Sequence, residues 1–384
     1  MSESRRERLP ELDGLRVIMI FIVSWYHIWQ QSWLTPVIGN FSLDFLLRSG
    51  YVWVDGTVLI SSFLLFLPYA KARQEGTPLP DTRAFYYRRA RRILPGFYFI
   101  ILVTFLGIAL PWDLYRGNGP YMVKDLATHL SFTFPFFYDT YVATPLGAAS
   151  WTLAIEVQAY ALFPLIARGA VKKPGWALGV LSAVCFGFRA WCLWGLADYT
   201  MVVNQLINFL DVYAIGILAA MAWVRLKERT PRKGSALLWT AVFAGCVWGL
   251  MRLLRVQAAS SGYPMIQQNQ MLFRPVYALL FSGLILSSGR CFRALQWVLG
   301  NRVMHFLAGI SMNYYLTHQV IIVHMRRIGF PPSVSETPNM VGEQPWQWQY
   351  VLCSFAFSFI AAVLVTYCVE KPAAKLIDRL HNRS

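Results

Sequence analysis

Long apolar runs alternate with short polar segments along this chain, and they dominate its hydropathy pattern. A membrane-spanning helix needs about 20 mostly apolar residues, and the sequence contains ten such runs. The pattern predicts spans near 13–34, 50–69, 93–111, 149–167, 175–196, 203–224, 235–251, 271–288, 304–324 and 349–369. We therefore expect an all-α polytopic membrane protein with one membrane domain over residues 1–384.

Composition and charge agree with a membrane protein in a lipid bilayer and indicate its orientation. Hydrophobic residues make up 56% of the chain and charged residues only 14%. With the N-terminus placed inside, the inner segments hold 25 Lys and Arg residues and the outer loops hold seven. The positive-inside rule then predicts that both terminal segments, 1–12 and 370–384, are cytoplasmic. Because the basic residues are spread through short loops, the net charge of +16 does not indicate a nucleic-acid partner.

The two longest predicted outer loops, 112–148 and 325–348, are rich in aromatic residues. Such side chains could stack on sugar rings, although an aromatic belt at the membrane interface is the commoner role. The first span, 13–34, follows arginines as a signal peptide would. Its long apolar run and the lack of a small-residue cleavage site predict a retained anchor. The six cysteines have neither metal nor disulfide spacing, so we expect no metal site.

Among the ionisable residues inside predicted spans, where a charge costs about 2.5–3.5 kcal/mol and needs a partner or a function, five come from five different spans. Counting about 1.5 Å per residue from the span ends places all five at a similar depth, in the outer half of a core about 30 Å thick. They are His27, Asp55, Glu156, Asp211 and His318. This shared layer is a candidate active site, although Asp55 and Asp211 could simply pair with buried bases.

Polar residues also form stripes along two of the spans. Arg16 and His27 are 11 residues apart, which is about three helical turns, so they share one face roughly 16 Å apart. Ser311, Tyr315 and His318 follow i, i+4, i+7 spacing and share a face in the same way. A polar stripe of this kind must face protein or a cavity rather than lipid. Hydrogen bonding between helices is an equally simple role for Ser311 and Tyr315.

The segment "FYYRRARRILP" places three arginines, Arg88, Arg89 and Arg92, at the predicted inner end of the third span. A basic cluster in this position commonly serves as a topology anchor. The guanidinium group also pairs with phosphate oxygens through two parallel hydrogen bonds. The same cluster could therefore clamp a phosphorylated substrate.

Six segments together resemble the motifs of acyltransferase family three, the ten-helix membrane acyltransferases of bacteria and some eukaryotes. In chain order they are "ELDGLRVIMIFIVSWYH" with Arg16 and His27, "GYVWVDGTVLISSFLL" with Asp55 and Ser61, "YRRARRILPGFY" with Arg88, Arg89, Arg92 and Pro95, "SWTLAIEVQAYALFP" with Trp151 and Glu156, "GISMNYYLTH" with Ser311, Tyr315 and His318, and "YCVEKP" with Glu370 to Pro372. The resemblance covers most of the chain and keeps the order of the motifs. Ser62 replaces the usual glycine and Val157 the usual glutamate, which bears on substrate preference more than on the chemistry.

The resemblance implies a membrane O-acyltransferase. Such an enzyme would move an acyl group, most often acetyl, from cytoplasmic acyl-CoA to a hydroxyl of an extracytoplasmic or lipid-linked acceptor, for which a carbohydrate or glycolipid is expected. Acyl-CoA would be the donor substrate, and no permanently bound cofactor is expected. The implied location is the bacterial cytoplasmic membrane.

With this chemistry, we hypothesise roles for individual residues from their depth and their type. His27 would act as the general base on the acceptor hydroxyl or as a transient acyl carrier, and Glu156 would orient or charge-stabilise it. Arg16 and the cluster Arg88, Arg89 and Arg92 would bind the CoA phosphates. Six further residues are expected to support the active-site layer: Asp55, Trp151, Asp211, Ser311, Tyr315 and His318. The last three are candidate hydrogen-bond donors to the oxyanion.

Two other classes stay open. A polytopic transporter, or a flippase for a lipid-linked sugar, would also carry ionisable residues near the membrane midplane. The sequence shows no inverted repeat or broken-helix pattern that would favour it. A regulatory receptor built on a degenerate transferase fold is a third class, and the presence of His27 argues against it.

Overall fold

The computed structural model describes residues 9–227 and 234–381, so most of the predicted segment 1–12 and the last three residues of the predicted tail 370–384 lie outside it. The described chain is helical nearly throughout. Its α-helices are α1 (Pro10–Ser32), α2 (Asp44–Arg48), α3 (Trp53–Glu75), α4 (Thr82–Thr104), α5 (Gly119–Leu130), α6 (Tyr138–Tyr141), α7 (Trp151–Lys172), α8 (Pro174–Gly195), α9 (Leu210–Lys227), α10 (Ser235–Ala258), α11 (Tyr263–Ser288), α12 (Arg293–Gly300), α13 (Arg302–Arg327), α14 (Gln344–Leu364) and α15 (Lys371–His381).

Short irregular elements complete the described fold. Turns of 3₁₀-helix occupy Gly50–Val52, Phe134–Phe136, Ala148–Ser150 and Leu206–Phe209, and π-helical turns extend α4 over Phe105–Ala109 and α14 over Val365–Glu370. Strands β1 (Val37–Ile38) and β2 (Phe41–Ser42) form one short antiparallel hairpin. The predicted all-α polytopic class is confirmed.

Nine of the described helices are long and apolar enough to cross a membrane. The remaining predicted span, 304–324, is present as α13, whose 26 residues extend about 39 Å. Polar residues interrupt α13, so it is not among the nine. Four of them, Ser311, Asn313, Thr317 and His318, are buried against neighbouring helices, so the low hydropathy of α13 reflects contacts with protein.

Helix α4 begins at Thr82, well before the predicted third span 93–111. The carboxylate of Asp81 caps it by accepting a backbone hydrogen bond at 2.6 Å. Arginine is a good helix former, so the cluster 88–92 continues the helix instead of preceding it. Pro95 consequently lies inside α4 and not near its start. Hydropathy alone missed this boundary because the charged arginines lower the hydropathy of the segment, although they favour a helix.

Helix α3 lies at the centre of the bundle, where 78% of its most apolar stretch is buried, against 11% for α10. Helices α1 and α9 pack along it. Gly216 permits the close approach of α9, since a Cβ at this position would lie 2.7 Å from the Ser62 side chain. Ser62 in turn donates a hydrogen bond to the Tyr213 carbonyl at 2.8 Å. These contacts fix the face of α3 that borders the cavity described below.

The end of α14 is tied to α13 by side-chain hydrogen bonds. Asn313 donates to the Glu370 carboxylate at 2.5 Å and to the Thr366 hydroxyl at 2.8 Å. Helix α4 approaches the same asparagine at Gly96, where a Cβ would lie 2.6 Å from its amide oxygen. The C-terminal motif at Glu370 therefore joins three helices.

Candidate active site

A cavity of about 740 Å³ lies between α1, α3, α4, α7 and α13. This volume is in the range of small-molecule and cofactor sites. Cations outnumber carboxylates on its wall by five to two, so the cavity favours an anionic ligand. The cations are Arg16, Lys71, Arg88, Arg89 and Arg92, and the carboxylates are Glu75 and Glu156. The structure thus brings together all four arginines that the sequence analysis assigned to phosphate binding.

Two of these arginines have no hydrogen-bond or ion-pair partner among the described residues. They are Arg16, which is partly exposed, and Arg92, which is exposed. Arg16 is close enough to Arg92 and Glu156 to interact with their charges. An arginine that lines a cavity without a protein partner retains five N–H donors for a ligand. Both are therefore suited to bind the oxygens of a phosphate group.

The carboxylate of Glu156 faces the same cavity from α7. It accepts a hydrogen bond from the Ser61 hydroxyl at 2.7 Å and another from the Tyr160 hydroxyl at 2.9 Å. Tyr160 is four residues further along α7, so helical spacing places the two side chains together. Ser311 and Tyr315 also line this part of the wall. Glu156 thus marks a polar end of the cavity that is rich in hydroxyl groups.

His27 lies outside the wall formed by the described cavity residues. Its Nδ1 is 3.0 Å from the Gln30 side-chain oxygen, and the Gln30 amide nitrogen donates to the Tyr26 hydroxyl at 2.9 Å. The imidazole of His318 packs against it with 5.2 Å between ring centroids. The two histidines predicted for one layer are therefore neighbours.

Tyr315 connects the cavity to this pair of histidines. Its ring lies 5.4 Å from that of His318, and its hydroxyl donates to the Ala149 carbonyl at 2.7 Å. The Ala149 N–H also donates to the side-chain oxygen of Gln319, so α13 holds both backbone groups of this residue. His318 is fully buried, and its Nδ1 lies 2.6 Å from the Tyr315 carbonyl oxygen. Tyr315 and His318 thus stand between the cavity and His27.

The separation between the cavity and His27 follows from the geometry of α1. Arg16 and Ile20 line the cavity, and His27 is seven residues beyond Ile20. Seven residues correspond to about 10 Å along the helix axis. Between them, Ser24 forms a hydrogen bond with the Tyr314 hydroxyl at 2.8 Å.

Asp55 and Asp211, the other members of the predicted layer, form buried ion pairs. Asp55 pairs with Arg274 at 3.2 Å, and Asp211 pairs with Arg189 at 2.7 Å. Both arginines also donate to the backbone carbonyl of Asn208, at 3.3 and 2.6 Å, which joins the two pairs. This network connects α3, α8, α9 and α11 and pairs both carboxylates with a guanidinium group, and a structural role accounts for it.

Trp151 is placed at the start of α7, half-buried, with its ring 6.1 Å from that of Phe209. Phe209 lies under the Arg274 guanidinium at 3.9 Å. Trp151 therefore packs beside the ion-pair network through Phe209, and it does not line the cavity.

Sequence reasoning missed Gln30, Tyr160 and the arginine partners of the two aspartates. Gln30 is three residues from His27, and Tyr160 is four from Glu156, so helical spacing could have found both. The pair between Asp55 and Arg274 joins residues 219 positions apart, which no local pattern can indicate.

The fold and the site define a class: an integral membrane protein that encloses a positively charged cavity beside a pair of histidines. A family model described as an acyltransferase domain matches residues 9–368. The chain therefore belongs to acyltransferase family three, as its motifs indicated.

Several curated relatives resemble the chain. Peptidoglycan O-acetyltransferase OatA of Listeria monocytogenes is 26% identical over 96% of this chain and 56% of its own length. Putative peptidoglycan O-acetyltransferase YrhL of Bacillus subtilis is 24% identical over 95% of this chain and 54% of its own length. The chain thus spans about half the length of these relatives. No solved structure matches it. The apolar helices and the bacterial relatives identify an integral protein of a bacterial membrane.

Proposed function

We propose that this protein transfers an acyl group, with acetyl as the expected case, from acyl-CoA to a hydroxyl of a cell-envelope carbohydrate. The charge of the cavity is the observation that carries the donor assignment. Five cations face two carboxylates there, and Arg16 and Arg92 are without partners among the described residues. The phosphates of CoA suit this wall, and the acyl-pantetheine arm would extend toward Glu156.

His27 is proposed to act as the general base. The hydroxyl oxygen of the acceptor attacks the thioester carbonyl carbon while Nε2 of His27 takes the hydroxyl proton. The C–S bond then breaks, CoA leaves as a thiolate, and the proton passes from His27 to the sulfur. The neutral imidazole is restored at the end of the cycle. The ring of Tyr315 lines the cavity and contacts the ring of His318, which contacts His27, so the thioester would have to pass these rings to reach the histidine.

The acceptor assignment rests on the relatives. Two of them are named peptidoglycan O-acetyltransferases, one of these as putative, and this chain aligns with about half of each. A sugar hydroxyl of peptidoglycan or of another envelope polysaccharide is therefore the acceptor we propose. The alternative of a transporter lacks a specific observation in its favour among the described residues.

The purified protein in lipid nanodiscs tests this function. Acetyl-CoA and soluble peptidoglycan fragments are supplied together, CoA release is followed through its free thiol, and the sugar product is identified by mass spectrometry. We expect CoA release that depends on the acceptor, together with an O-acetylated fragment. A protein that acylates no carbohydrate hydroxyl, and whose melting temperature does not respond to CoA, would rule the proposal out.

A further inference from the structure

The imidazole of His27 is held by a neutral amide. Its Nδ1 lies 3.0 Å from the side-chain oxygen of Gln30, three residues further along α1. The amide nitrogen of Gln30 donates to the Tyr26 hydroxyl at 2.9 Å, and in this arrangement the amide oxygen faces the imidazole. An amide oxygen can only accept a hydrogen bond, so Nδ1 of His27 carries the proton. In a neutral imidazole the lone pair is then on Nε2.

We propose that Gln30 is a positioning residue which, oriented by Tyr26, fixes His27 in the tautomer whose Nε2 can take a proton. The inference rests on the proposed role of His27 as general base. A reversed amide would present its N–H groups to Nδ1 and leave the proton on Nε2, where the histidine cannot act as a base. Gln30 thus does for this histidine what a carboxylate does in a hydrolase triad, without adding a charge inside the membrane.

No other side chain in the described part of the chain hydrogen-bonds the His27 ring. Glu156, which the sequence analysis expected in this role, uses its carboxylate for two hydroxyl groups on the cavity wall. His318 packs against His27 through its ring, but its Nδ1 is directed to a backbone carbonyl of its own helix. Gln30 therefore makes the contact that orients the His27 ring.

Gln30 also lies near the end of α1 that the predicted topology places outside, where the proposed acceptor would approach. It is exposed, two residues from the end of α1, whereas the donor cavity borders the first part of the same helix. A change at Gln30 should therefore leave the donor site intact. This separation allows its effect on the base to be measured apart from an effect on donor binding.

Three variants test the inference in steady-state acyl transfer. Gln30→Met keeps the length of the side chain and removes the acceptor oxygen, and we expect kcat to fall about tenfold or more while the KM for acetyl-CoA stays unchanged. Gln30→Glu keeps an acceptor, so its kcat at high pH should stay within a few-fold of wild type. Its carboxylate stabilises the protonated imidazole, so the acid limb of the pH profile should move up by about one unit or more. Tyr26→Phe lets the amide rotate and should give an intermediate loss.

Gln31→Met is the matched control, because the same substitution one residue further along lies about 100° round the helix. It should retain full activity. The inference would be overturned if Gln30→Met had the kcat and the pH profile of wild type. It would also be overturned if Gln30→Glu lost as much kcat as Gln30→Met and the acid limb of its pH profile did not move. If Gln30→Met does not fold, Gln30→Glu and Tyr26→Phe decide the matter. Activity retained in His27→Ala would instead refute the proposed function, whereas an inactive His27→Ala beside a fully active Gln30→Met would refute only the role of Gln30.

Discussion

Replacing Arg92 by glutamine tests the donor site at a residue whose loss should not disturb the ligand-free protein. Arg92 is exposed, lines the cavity and has no hydrogen-bond or ion-pair partner within residues 9–227 and 234–381. Its removal leaves four cations facing two carboxylates. Because no hydrogen bond or ion pair within residues 9–227 and 234–381 is lost, we expect the stability of the ligand-free protein to change by no more than about 0.5 kcal/mol.

The effect on donor binding is expected to be much larger. A hydrogen bond to a charged group contributes about 1.5–3 kcal/mol, so loss of one arginine–phosphate contact should weaken CoA binding about 10- to 150-fold. A ligand present at 100 times its Kd stabilises the folded state by about 2.7 kcal/mol, and a tenfold weaker ligand at the same concentration by only about 1.4 kcal/mol. CoA should therefore protect Arg92→Gln roughly half as well as it protects wild type, or less.

The assay is thermal unfolding in nanodiscs over a CoA titration, paired with the KM for acetyl-CoA. Arg48→Gln is the matched control, since Arg48 lies on α2, pairs with Asp44 at 3.0 Å and does not line the cavity. The control should respond to CoA as wild type does, whereas Arg92→Gln should show a reduced response and a raised KM. Equal protection by CoA in all three proteins would show that the arginine-lined cavity is not the donor site.

Two further predictions concern the carboxylates. Glu156→Gln replaces one of the two carboxylate oxygens that accept from Ser61 and Tyr160 by an N–H donor, so one of these hydrogen bonds must reverse and the negative charge is lost. We expect kcat to fall, while loss of a negative charge beside the cations should leave the KM for acetyl-CoA equal or lower; a raised KM with normal kcat would contradict this. Arg274→Met leaves Asp55 buried without its partner and should destabilise the protein by about 3–5 kcal/mol in a denaturation assay. The double variant with Asp55→Leu should recover most of that loss, and a double variant as unstable as Arg274→Met would show that the pair itself is not responsible.

Much of the architecture could be predicted because apolar length and periodicity are local properties of the chain. The shared face of α1 could be predicted from the spacing of Arg16 and His27, and the structure places Arg16 on the cavity wall as a polar stripe requires. Ser311 and Tyr315 line the same cavity, as their i, i+4 spacing allowed.

The contacts among the residues of the predicted layer could not be predicted from spacing along the chain. Counting residues gives the depth of a side chain in a span, but its direction around the bundle depends on how the helices pack. His27 and His318 are in contact, whereas Glu156 faces hydroxyl groups in the cavity and Asp55 pairs with an arginine from a distant helix. Depth therefore identified the candidates, and packing decided their partners. The role of Glu156 as the orienting group for His27 stays a prediction. Gln30, which contacts the His27 ring, is the alternative candidate for this role.

The central claim is that His27 is the base for acyl transfer, and its removal tests this most directly. O-acetylation of peptidoglycan fragments is measured by mass spectrometry in nanodiscs with wild type, His27→Ala and a control, His305→Ala. His305 lies near the start of α13 with its side chain 60% exposed, away from the histidine pair. With equal melting temperatures and equal protection by CoA, we predict that His27→Ala forms no acetylated product while His305→Ala retains wild-type activity. Acetyl transfer by folded His27→Ala at the wild-type rate would contradict the account.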